Sequence, residues 1–147
     1  MTEFLKLVHV LFAAFWVGGA VLLVAYGMSI LKADATTKVA FSRMMLVAGR
    51  LFGAFAAVAL AAGTWMVLRV DGYGFDQAWI SIGFMGIIIG AVLGPAFYAP
   101  QARALIGELE SGNAAAAARE KRIGIVSLLE AIMLVAVVWA MVYKPGL

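Results

Sequence analysis

Three ionisable residues interrupt otherwise apolar stretches of this chain. They are His9 in LKLVHVLFAAFWVGGA, Arg50 in MMLVAGRLFGAF and Glu130 in IVSLLEAIMLVA. His9 is the sole histidine. Trp16 follows seven residues later, two helical turns along, so the two share a face. An imidazole in apolar surroundings suits axial ligation of a haem iron or proton transfer. The plainer alternative is a hydrated or hydrogen-bonded histidine near a membrane interface. A second axial ligand would have to be Met, Lys, water or a group from another subunit.

Arg50 lies seven residues beyond Arg43, and Glu130 eight beyond Arg122. At 1.5 Å per residue both fall roughly 10–12 Å inside the same end of their helices. A charge in hydrocarbon costs at least about 2.5 kcal/mol on insertion scales. Opposite charges at matched depth offset that by pairing, so a buried ion pair between Arg50 and Glu130 is expected. The functional alternative is a proton or anion site, in which Arg50 grips a carboxylate such as a porphyrin propionate.

Small residues form a third pattern: Gly86, Gly90 and Gly94 at four-residue spacing, with Gly49 and Gly53 in an earlier run. Such spacing lets helix backbones approach closely in lipid. It serves packing within the chain, a self-association surface, or a groove that leaves room for a flat cofactor. The eight methionines form no Met-x-x-Met or Met/His cluster and read as flexible apolar filling. Cysteine is absent, which excludes disulfides, thiolate catalysis and iron–sulfur ligation. No hydrolase triad, nucleotide loop, zinc spacing or nucleic-acid-binding pattern is present.

The elements that must carry these residues are membrane helices. Of 147 residues 65% are hydrophobic and 13% charged, against about 45–50% and about 25% in soluble domains; mean hydropathy is +1.04. Four apolar runs, at about 4–31, 44–68, 78–98 and 123–143, each approach or exceed the roughly 20 residues that span a bilayer. None alternates as a barrel strand would. The third helix is expected to continue to about residue 110 and to kink at Pro95, and the fourth to begin near 119. The segment 32–43 is expected as a loop, RVDGYGFDQ as a tight turn, and SGN as a helix stop. The fold class is therefore all-α, a single four-helix integral membrane bundle over residues 1–147. The first run is too long for a cleaved signal peptide.

Basic residues set the orientation. Lys32, Lys38, Arg43, Arg103, Arg119, Lys121 and Arg122 lie on one side and Lys6, Arg69 and Lys144 on the other, seven against three. Positive charge concentrates in the cytoplasm, so both termini are expected outside. Trp65, Trp79, Trp139 and Tyr143 are expected as a belt at the outer interface.

His9, Trp16, Gly18 and Gly19, with the closing VVWAMVYKPGL, resemble a group of small bacterial membrane proteins. It includes the HemJ-type protoporphyrinogen oxidases, the CopD-type copper-resistance proteins and uncharacterised relatives. Length and four-helix layout match over nearly the whole chain. The resemblance implies a four-helix bundle in the bacterial inner membrane and, for the oxidase branch, haem b bound through the helix-one histidine, here His9. That branch carries a second His and a Lys at helix three. WISIGFMGIIIGAVLGP has neither, and the chain looks closer to the uncharacterised members.

The sequence thus points first to a haem b or porphyrin protein with His9 as ligand, Trp16 on the macrocycle and Arg50 near a propionate. A non-catalytic small subunit or self-associating component of a larger membrane complex, as a homo-oligomer or with partner membrane subunits, is the second expectation. A transporter using Arg50 and Glu130 is the third. Lipid is the surrounding partner in every case, and nucleic acid in none.

Overall fold

The computed structural model describes residues 2–145. Five α-helices and one π-helical turn account for nearly all of them: α1 (Thr2–Ser29), α2 (Ala35–Arg69), α3 (Ala78–Leu93), the π turn (Gly94–Tyr98), α4 (Ala99–Glu110) and α5 (Ala115–Tyr143). The α3, π and α4 segments form one continuous rod, Ala78–Glu110. Four rods result, each long and apolar enough to cross a membrane. Among the described residues there is no strand. The outward faces are apolar, with Phe4, Leu22, Leu68 and Val142 each at least 65% exposed.

The polar stretch 32–43, expected as a loop, is mostly helix. Asp34 is the reason: its Oδ1 accepts the Thr37 N–H at 2.7 Å and caps the start of α2. At 35 residues, about 52 Å, α2 is too long for a bilayer core. Its first turns are covered by α4 and the start of α5. Lys38 pairs with Glu120 at 2.9 Å, and Arg43 with Glu110 at 2.9 Å. Arg119 clasps Glu108 through Nε and Nη2 at 2.8 and 2.7 Å and reaches Gln101 through Nη1 at 2.6 Å. Leu105, Ala116 and Ile123 fill the space beneath. This end of the molecule, here the basic end, is a helical hairpin braced on α2. The opposite, terminal end holds the N-terminus, the α2–α3 turn and the end of α5.

The turns follow their residues. Gly72 takes φ +85° in the Val70–Tyr73 turn, where Tyr73 N–H meets Val70 O at 3.2 Å; an L side chain would be strained there. After α4, Gly112 takes φ +67°. Its N–H meets Leu109 O, and Asn113 N–H meets Glu108 O, which together satisfy the last helical carbonyls. Asn113 also serves the start of the next helix. Its Oδ1 accepts the Ala115 N–H at 2.9 Å and caps α5. Lys144 ends α5 in the left-handed region, with its Nζ 5.1 Å from the Trp79 ring centre and 5.5 Å from that of Tyr73. Gly146, expected to help close this helix, lies outside the described residues.

Pro95 does not break α3. It lacks an N–H and its ring opposes the preceding turn. The chain widens by one residue, so that Ala99 N–H bonds to Gly94 O. Of the expected aromatic belt, Trp65, Trp139 and Tyr143 are exposed at the terminal end, whereas Trp79 is 7% exposed and turned inward against Tyr73.

Candidate functional site

The four rods meet tightly in the terminal half and separate in the basic half. Trp16, Ala56 and Leu134 form the central packing cluster. From Trp16 toward the basic end a groove of about 510 Å³ opens between α1, α2, the π turn and α5. It follows α1 from Trp16 to Leu31, about 22 Å of helix. Met28 of α1, Leu31 just beyond it, and Ile125 and Leu128 of α5 border it and are all exposed. The groove therefore opens sideways between α1 and α5. Its size lies within the usual range of small-molecule sites, about 300–1,000 Å³.

Glycines shape it. Gly49, Gly53, Gly94 and Gly124 all border the groove, and a Cβ built on any of them would meet nothing within 4 Å. Their missing side chains are the empty space. Gly86 and Gly90 behave differently. A Cβ on Gly86 would collide with Val137, and one on Gly90 with the Trp16 ring. The glycines singled out in the sequence thus divide into two kinds: Gly86 and Gly90 pack helices, while Gly49, Gly53 and Gly94 leave a cradle. On α1 the same packing recurs at Gly19, which seats Phe52, and on α2 at Gly63, which seats His9.

Glu130 lies at the inner end of the groove. A Cβ on Gly90 would stand 3.4 Å from its Oε1, so Glu130 and Trp16 border the same glycine. Tyr98, presented by the π turn, places its hydroxyl beside Glu130 and Ser127. That hydroxyl is buried and meets neither in good hydrogen-bonding geometry.

The expected ion pair between Arg50 and Glu130 does not form. Arg50 is exposed, does not border the groove, and among the described residues has no carboxylate within salt-bridge distance. Helical geometry explains this. Gly49, Phe52, Gly53 and Ala56 face the groove, and at 100° per residue Arg50 points roughly 110° away. The helical face, which depth along the axis leaves open, decides the contact.

His9 sits on the α1–α2 seam, half-buried. Its Nδ1 donates to the Ala59 carbonyl at 2.7 Å, which leaves Nε2 with a free lone pair. Metal-bound histidines are usually anchored in this way. His9 nevertheless borders neither this groove nor the smaller one at the terminal end, between Thr2, Leu5 and Trp65. Among the described residues no group of three or more His, Cys, Asp or Glu gathers as a metal site.

Tyr98, Ser127 and Gly124 were not singled out from sequence, whereas Gly94 was, among the glycines that could leave a groove. The one available signal was Pro95 three residues before Tyr98, since an irregular turn re-aims the side chains beyond it.

The fold and site define an all-helical bundle with a laterally open groove and an acidic inner end. No protein-family model, curated protein or solved structure matches the chain.

Proposed function

We propose that this is an integral membrane protein of the bacterial inner membrane that binds an elongated, largely apolar small molecule in the groove. The observation that carries the reading is the set of four open glycines lining one cavity. In lipid, close helix packing is the usual use of small residues. Leaving four of them uncovered on three elements forgoes packing and maintains space. Met28, Leu31, Ile125 and Leu128 offer an apolar doorway from the lipid side, while Glu130, Tyr98 and Ser127 give the occupant a polar end to meet. The basic end faces the cytoplasm in this reading, because it carries the larger share of Lys and Arg.

The test is to fill the space. Gly53→Leu is expected to keep the helical content and monodispersity of the wild type and to abolish saturable binding of a decyl-chain probe in lipid nanodiscs. Retained binding in that variant sinks the reading.

A haem b or porphyrin role is the second reading. The anchored tautomer of His9 favours it, and the position of His9 outside the groove weighs against it. The absorption spectrum of the purified protein with added haem decides. No Soret band eliminates haem, and a band lost in His9→Ala supports it.

A further inference from the structure

We propose that the groove selects a cation: its occupant is a lipophilic ammonium ion whose charged nitrogen rests at Glu130 and whose apolar body runs along α1 toward Leu31. This rests on the groove being a binding site, and it adds the chemical class of the guest. Among the described residues, the charged groups bordering the groove are Lys38, Glu120, Lys121 and Glu130. Lys38 is already held by Glu120 at 2.9 Å. Lys121 is exposed and lies nine residues from Glu130 on the same helix, about 13 Å away along the axis. Arg50 faces elsewhere. Glu130 is thus an acid in low-dielectric surroundings with no cation of the chain beside it.

Isolated buried charge is costly, and a partner of opposite sign offsets the cost. The surroundings of Glu130 suit an ammonium head. The Trp16 ring borders the same glycine as the carboxyl, and aromatic rings are favourable neighbours for a bound ammonium group. The Tyr98 hydroxyl, buried beside the carboxyl, adds no positive charge there. An anionic guest would meet like charge at the inner end. A neutral guest would leave Glu130 without a counter-ion.

Binding of decyltrimethylammonium, decanol and decanoate to the full-length protein in nanodiscs, corrected for partition into empty discs, separates these cases. The cation is expected to bind at least about tenfold more tightly than the alcohol, in keeping with the strength of charge-assisted contacts. Glu130→Gln should remove that preference, and Glu130→Asp should retain a preference for the cation. Circular dichroism and size-exclusion profiles establish that both variants fold; should Glu130→Gln fail to fold, the wild-type and Glu130→Asp preferences carry the test. Equal binding of cation and alcohol to the wild type overturns the proposal, as does a preference that survives in Glu130→Gln. Gly53→Leu distinguishes the two levels. If it leaves binding of all three probes intact, the groove reading itself fails. If it abolishes all three while wild type shows no charge preference, only the cation assignment fails.

Discussion

The indole of Trp16 occupies the place where a Gly90 side chain would stand. One α1 residue thereby fixes the approach of α3, and Glu130 closes on the same glycine from α5. The tight half of the bundle ends at this contact, and the open half begins there.

Substitutions at the two kinds of glycine should consequently differ in sign. Gly90→Ala forces Trp16 to shift and is expected to destabilise by about 1–3 kcal/mol, the usual range for overpacking. Gly53→Ala meets open space and gains up to about 1 kcal/mol of helix propensity. Thermal melts in mild detergent should show a lower Tm for the first and an equal or higher Tm for the second. Similar changes in both would contradict the division of the glycines.

Charge coupling should follow the observed pairs rather than matched depth. Arg50→Ala and Glu130→Ala are expected to be additive to within about 0.5 kcal/mol, as for residues without contact. Lys38→Ala and Glu120→Ala should be non-additive, because their ion pair is only 17% and 18% exposed. A double-mutant cycle by chemical denaturation measures both. Coupling between Arg50 and Glu130 larger than that between Lys38 and Glu120 would overturn this assignment.

The start of α2 should weaken in acid. The Thr37 N–H holds the Asp34 carboxyl below its ordinary value of 3.8. A group whose folded value is depressed stabilises fully above its unfolded value and loses that effect as pH falls through the folded one. The Tm difference between wild type and Asp34→Ala should therefore be constant near neutrality and shrink as pH drops below about 4. A difference independent of pH would show that the carboxylate charge contributes nothing to the cap.

Much of the fold was legible from local chemistry. Run length and apolarity gave the four rods, and Gly72 and Gly112 marked turns through backbone conformations that side chains rarely adopt. The start of α2 was misplaced because polar residues between apolar runs read as loop, although Asp34 three residues before Thr37 is a helix-start signal. Long-range partners were less legible. Lys38, Arg43 and Arg119 find carboxylates on other helices, and sequence spacing carries no record of which helix lies opposite.

The sequence by itself determined the class of element and the unusual residues: apolar rods of membrane-spanning length, one histidine, an arginine and a glutamate within them, and rows of glycine. Those properties follow from side-chain chemistry and from the 1.5 Å rise of a helix. Only the tertiary structure decided their use. It turned Arg50 away from Glu130, anchored His9 to a backbone carbonyl, and separated glycines that are filled by a neighbour from glycines that leave space. The reason is rotational. Sequence fixes how far along a helix a residue lies, whereas packing of the other rods fixes which face of that helix looks inward.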